Sequence, residues 1–168
     1  SKKKSVIIIK GGPGTGKSVV SMNLLGGIIK LGKNVVFVAP NAAYRSVIVE
    51  KLKKENKKSA VDHLFKGSAG FVDTNENEFD VIIVDEAHRL KNSTAYQYYG
   101  KNQVEDIVKS AKISIFFVDE SQMIRPEDIG SIEEIERVAS VYEAEVTVME
   151  LMAQYRCSGA DGYINWLD

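Results

Sequence analysis

The stretch Ser5-Val6-Ile7-Ile8-Ile9-Lys10-Gly11-Gly12-Pro13-Gly14-Thr15-Gly16-Lys17-Ser18 decides how the chain is read. Its first part is apolar at consecutive positions, the mark of a strand buried on both faces. Its second part is a Gly-rich turn with the spacing G-x-x-x-x-G-K-[ST], and the apolar run from Val19 to Leu31 follows it as a helix. In that context successive main-chain N–H groups wrap a phosphate, because only small residues let the backbone come so close. The helix turns its positive end to the same phosphate. Lys17 adds a mobile cation for the outer phosphates, and the Ser18 hydroxyl is placed to hold Mg2+. Gly11, Gly12, Pro13, Gly14, Thr15, Gly16, Lys17, Ser18 and Val19 form the expected nucleotide cradle.

The rest of the chain alternates strand and helix. Gly32 is placed to end the first helix as a left-handed cap. That helix is apolar nearly all round, so it is expected to be well covered. Asn34 to Ala39 reads as a second buried strand, broken by Pro40-Asn41. A helix is expected over 42–55, with Tyr44, Val47, Ile48 and Leu52 facing the core. Residues 56–80 show no clear period; Leu64, Phe65, Phe71 and Val72 need burial, and 74–78 reads as an exposed turn. Val81-Ile82-Ile83-Val84 is a buried strand ending in Asp85-Glu86-Ala87-His88. A polar, Tyr-rich loop over 91–102 precedes a helix from Gln103 to Ser110. Ile113 to Val118 is a fourth strand, ending in Asp119-Glu120-Ser121-Gln122. Ser131 to Tyr142 is a helix with Ile132, Ile135, Val138, Ala139 and Tyr142 on one face. Glu145 to Glu150 reads as a fifth strand, followed by Gln154-Tyr155-Arg156 and a short helix near 159–167.

This alternation predicts an α/β fold of three layers, a parallel sheet with helices on both faces. Ligands of such sheets sit beyond the carboxyl ends of the strands, where the three polar clusters fall. An acid at the position of Asp85 can hold Mg2+ opposite Ser18. Glu86 is placed to orient or deprotonate an attacking water. The Gln122 amide can hydrogen-bond the γ-phosphate or that water. Arg156 can bring a planar cation to the same phosphate. For His88, a relay toward a neighbouring domain and a polar cap of the loop stay open. His63 lies too far off to suggest zinc, and Cys157 reads as inert packing.

Apolar residues make up 44% of the chain and charged residues 27%, which excludes a disordered chain. The length suits one domain over 1–168. No apolar run approaches a bilayer's thickness, and no secretory leader pattern is seen. A single cysteine suits a reducing cytoplasm. The start, Ser1-Lys2-Lys3-Lys4, has no methionine and reads as a cut inside a longer protein. The net charge of −1 conceals an asymmetry: residues 1–58 hold thirteen Lys/Arg and two Asp/Glu, and residues 119–150 hold two and ten. Local positive charge is what nucleic acid requires.

These motifs, in this order, resemble the first motor domain of superfamily one helicases. Gly11 to Ser18 matches Walker A, Ala39-Pro40-Asn41-Ala42-Ala43 the next motif and Asp85-Glu86-Ala87-His88 Walker B. Asp119-Glu120-Ser121-Gln122 resembles the third motif and Gln154-Tyr155-Arg156 the fourth. The stretch from Tyr155-Arg156-Cys157-Ser158-Gly159 to Trp166-Leu167-Asp168 is closer still to a bacterial helicase-like ATPase family related to the Schlafen group. The resemblance implies a P-loop NTPase of RecA-like form, with the strand before Gln122 lying between the Walker A and Walker B strands. It implies ATP and Mg2+ as cofactors and single-stranded nucleic acid, DNA or RNA, as partner. Lys17 would contact phosphates, Ser18 and Asp85 the metal, Glu86 the water, and Gln122 and Arg156 the γ-phosphate. Asn41 to Ala43 would lie near the nucleic-acid backbone. The usual Gly-Asp before the third motif's variable pair is Val118-Asp119 here, and no glutamine precedes the Gly-rich loop. A second motor domain is expected outside this chain, so low activity is expected of this piece. A nucleotide-regulated switch within a larger assembly is the alternative; a small-molecule kinase lacks a recognisable lid or acceptor motif.

Overall fold

The computed structural model describes residues 2–39, 43, 46, 47, 49, 50, 63–93, 100, 102–123 and 128–152. Six strands form one parallel sheet: β1 (Ser5–Lys10), β2 (Val35–Val38), β3 (Phe65–Lys66), β4 (Phe79–Val84), β5 (Ala111–Val118) and β6 (Glu145–Glu150). Their order across the sheet is β3-β2-β4-β5-β1-β6. The strand before Gln122 therefore lies between the strand of the Gly-rich loop and the strand of Asp85, as the resemblance implies. Three helices are described in full: α1 (Lys17–Lys30), α2 (Gln103–Ser110) and α3 (Ile132–Val141).

Side chains of successive strand residues point to opposite faces, so each run of apolar residues feeds two cores. On one face Val6, Ile8, Ile82, Val84, Phe116 and Val118 meet α2 through Val104, Ile107 and Val108 and α3 through Ile135, Val138 and Ala139. On the other face Ile9, Phe37, Ile83, Ile115 and Phe117 meet α1 through Leu25 and Ile28. This is a RecA-like P-loop α/β fold with a helical layer on each side. Each fully buried Ile, Val or Phe contributes about 1.5–3 kcal/mol. Truncating a central one, Phe117→Ala, would cost about 3–5 kcal/mol.

Local chemistry fixes the helix ends. The Asn102 side chain caps α2 by accepting the Glu105 N–H at 3.1 Å, and Ser131 caps α3 by accepting the Glu134 N–H at 3.1 Å. Acids sit in the first turn of both, Glu105 and Asp106 in α2, Glu133 and Glu134 in α3, where the helix dipole favours them. The Lys4 amine donates to the carbonyls of Val108, Lys109 and Ala111 at 2.9–3.1 Å and to the Asn77 side chain. It closes the carbonyl end of α2.

Several expectations need correction. Helix α1 buries only Ser21, Leu25 and Ile28, while Val19, Ile29 and Leu31 are 42%, 41% and 73% exposed. The described layers cover one side of it, so an all-round apolar sequence does not mean all-round burial here. Val47 is 65% exposed rather than in the core, and Val49 packs toward the α1-side core instead. Strand β6 lies at the sheet's edge and is exposed at every residue. Strand β3 was not foreseen; it gives Phe65 its burial beside Phe37, with ring centroids 5.6 Å apart. Pro40, Asn41, Ala42, Tyr44, Ile48, Leu52, Gln154, Tyr155, Arg156, Cys157 and the expected helix over 159–167 lie outside the described residues. No helix among the described residues is long and apolar enough to cross a membrane.

Candidate functional site

The sheet order sets three strand ends side by side. Lys10 pairs with Val118 at the ends of β1 and β5, and Val84 pairs with Phe116 between β4 and β5. Two hydrogen bonds carry this register past the strands: Gly11 N–H to the Val118 carbonyl at 3.1 Å, and Asp85 N–H to the Val38 carbonyl at 2.9 Å. The Gly-rich loop, Asp85-Glu86 and Asp119 to Gln122 thereby meet at one edge.

Gly16 ends the loop at φ 81°, a left-handed conformation that a side chain would strain. It caps α1 with no side-chain hydrogen bond, and the first turn of α1 holds no acid. That contrasts with α2 and α3, which are both capped and acidic. The N–H groups of Lys17, Ser18 and Val19 thus open a positively polarised helix end. Thr15 Oγ1 donates to the Gly12 carbonyl at 2.8 Å and holds the loop's curve. The Lys17 amine donates to the carbonyls of Gly11 and Gly12 at 2.6 and 2.8 Å, and Asp119 Oδ2 lies 3.8 Å away.

Ser18 Oγ donates to Asp85 Oδ2 at 3.2 Å. Asp85 is only 1% exposed, and its Oδ1 accepts the Glu86 N–H at 3.0 Å. A hydroxyl and a carboxylate oxygen facing one another are hard donors, which suit Mg2+ better than a soft metal. Glu86 takes a left-handed backbone, φ 51° and ψ 45°, which is uncommon for a non-glycine residue and costs about 1–3 kcal/mol. Burial, and then the neighbouring Asp85 charge, raise its pKa above the ordinary glutamate value. A more basic carboxylate at a strand tip is better matched to taking a proton from water.

His88 is fully buried. Its Nδ1 accepts the main-chain N–H of Asp119 at 3.2 Å, joining the turn after β4 to the turn after β5. Burial, then the Arg89 charge, lower its pKa to about 4. Gln122 sits in a 3-10 turn, Glu120–Gln122, and its Nε2 donates to Asp119 Oδ2 at 2.7 Å. Of the second motif, Ala39 is buried and Ala43 is exposed.

Sequence reasoning missed two contacts. A Cβ on Gly130 would lie 1.5 Å from the Ala87 carbonyl oxygen, so the loop before α3 rests on the backbone of the turn after β4. Two residues earlier, the buried Asp128 faces Lys91 and, at 3.6 Å, Arg89. A lone loop glycine or aspartate carries no sequence signal for such contacts.

Residues 4–168 match the family model for the Schlafen group 3, DNA/RNA helicase domain. The chain belongs to this family. As a Schlafen group 3 helicase domain with this loop and sheet, it is a nucleotide-binding domain of the ATPase type. It is similar to a Saccharomyces cerevisiae protein, "Uncharacterized protein YPL245W", with 26% identity over 147 residues. That match covers 74% of this chain and 31% of the yeast protein, so the chain spans about a third of that relative's length. Among solved structures it is similar to a DNA replication initiation factor, with TM-score 0.43 and 15% identity over 89% of this chain and 41% of that one. It is also similar to AMPPCP-bound DnaA from Aquifex aeolicus, with TM-score 0.41 and 14% identity over 99% of this chain and 50% of that one.

Proposed function

We propose that this Schlafen group 3 domain binds Mg-ATP and hydrolyses its terminal phosphoanhydride bond, as the first motor domain of a nucleic-acid-dependent ATPase. The observation that carries the reading is the meeting of Lys17, the Ser18–Asp85 pair and Glu86 at one sheet edge. The main chain from Gly11 to Val19 holds the phosphates. Lys17 leaves the loop carbonyls for the outer phosphates. Ser18 and Asp85 would hold Mg2+, which when bound neutralises charge on the phosphate oxygens. Glu86 takes the proton of the water that attacks the γ-phosphorus, and the leaving oxygen departs with ADP. Gln122 orients that water, and Arg156, beyond the described residues, is assigned to the γ-phosphate.

The nucleic-acid part rests on the family's description as a DNA/RNA helicase domain and on the basic first third of the chain. Not all of that charge is free for a phosphate backbone, since Lys4 is spent on α2 and Lys17 on the loop. Exposed Lys2, Lys3, Lys30 and Lys33 remain, with Lys51, Lys53 and Lys54 outside the described residues. A second motor domain elsewhere in the full-length protein would complete the cycle.

The test is ATP turnover by the full-length protein with and without single-stranded DNA or RNA. Stimulation by either supports the motor. Turnover indifferent to both, with ATP binding intact, favours a nucleotide-regulated switch in a larger assembly. Neutralising Lys51, Lys53 and Lys54 together is expected to flatten the salt dependence of nucleic-acid binding, by roughly one slope unit for each of these lysines that meets a phosphate.

A further inference from the structure

Asp119 joins the Gly-rich loop, the turn after β4 and the turn after β5. It is 4% exposed. Its main-chain N–H donates to His88 Nδ1 at 3.2 Å. Its Oδ1 accepts both the Ser121 N–H at 3.1 Å and the Ser121 hydroxyl at 2.5 Å. Its Oδ2 accepts Gln122 Nε2 at 2.7 Å and lies 3.8 Å from the Lys17 amine. We propose that Asp119 is a positioning residue that couples the Lys17 ammonium to the orientation of the Gln122 amide. The assignment rests on the nucleotide-hydrolysing reading above and adds to it a residue and a direction of coupling.

Two arguments support it. An ionised carboxylate only accepts hydrogen bonds, so the end of Gln122 that faces it must be the NH2 nitrogen. The opposite end, Oε1, is an acceptor. An acceptor suits the O–H of an attacking water and repels a phosphate oxygen. Asp119 thereby selects the water-orienting role for Gln122. The second argument is competition. A phosphate entering the Gly-rich loop competes with Asp119 for the Lys17 charge. As Lys17 turns to the phosphate, the Asp119 charge falls on Ser121 and Gln122 alone, and charge-assisted bonds tighten when they are less shared. Nucleotide engagement then firms the amide that orients the water.

The test uses full-length protein, calorimetric Mg-ATP binding and steady-state turnover. Asp119→Asn is expected to leave Mg-ATP affinity unchanged or a few-fold tighter, because the competing charge is gone, while kcat falls ten-fold or more. A merely structural residue would lose affinity, kcat and melting temperature together, and that result would overturn the assignment. In the double variant with Gln122→Ala, kcat is expected to match the single variants; losses that multiply would also overturn it. A second variant leaves Asp119 intact. Gln122→Glu faces one carboxylate with another, so its kcat is expected to fall at least several-fold below that of Gln122→Ala. Equal values would refute the contact's importance. Wild-type binding is measured first: its failure sinks the nucleotide reading itself, whereas wild-type turnover with an unaltered Asp119→Asn kcat sinks only the coupling.

Discussion

His88 Nδ1 accepts the main-chain N–H of Asp119 at 3.2 Å, and both residues are buried. The imidazole must be unprotonated at Nδ1 to do this, so its proton sits on Nε2, which has no hydrogen-bond partner among the described residues. The contact makes the two acidic turns of the site one unit, and it makes that unit sensitive to acid.

An unfolded histidine takes up a proton near pH 6.5, whereas folded His88 resists until about pH 4. Between those values the unfolded chain binds more protons, so stability is full above the upper value and falls as pH drops through the window. The loss between pH 7 and pH 5 is expected to be about 2 kcal/mol. His88→Asn keeps an acceptor for the Asp119 N–H and removes the titration. Denaturant melts at the two pH values should show the acid-side loss shrink in that variant; an unchanged loss would place its origin elsewhere.

Glu86→Gln keeps the shape of the side chain and removes the proposed base. Turnover is expected to fall by about 10²–10⁴-fold with nucleotide affinity retained. Single-turnover kinetics with labelled ATP would show it. Normal hydrolysis in this variant would remove Glu86 from the chemistry.

Ser18→Ala removes the hydroxyl that faces Asp85 at 3.2 Å. The Mg2+ concentration for half-maximal turnover is expected to rise several-fold, while binding of ATP in EDTA stays the same. A metal titration separates the two, and an unchanged Mg2+ requirement would exclude Ser18 as a ligand.

Gly130→Ala drives a Cβ to 1.5 Å from the Ala87 carbonyl oxygen. The backbone must separate there, at a cost of about 3 kcal/mol, which lowers the melting temperature by roughly 10 °C in a domain of this size. Calorimetric scans would reveal it. A melt like the wild type's would mean that the two loops do not rest on one another.

Much of the frame was legible because its signals are local. The apolar runs ending at Lys10, Val84 and Val118 announce strands buried on both faces, and α2 was foreseen from Gln103 to Ser110. The Gly-rich loop announces its turn and its helix. What escaped is non-local or too short to have a period. Strand β3 has two residues. The burial of His88, the seat under Gly130 and the grip of Lys4 on α2 each join segments far apart in the chain. Helix α1 shows the opposite failure: its apolar residues foretold a cover that Val19, Ile29 and Leu31 do not have in the described structure.

Among the described residues, strand β1 pairs with β5 and β6 alone. Of these three strands a ribosome delivers β1 before the other two, which follow roughly a hundred or more residues later, and long-range parallel pairing of this kind is slow. The loop that follows β1 gains its fixed footing only when the last third of the domain has emerged. Nascent chains stopped before residue 111 would expose an orphan apolar strand, so the capacity to hold a nucleotide should arrive in one late step rather than grow with length.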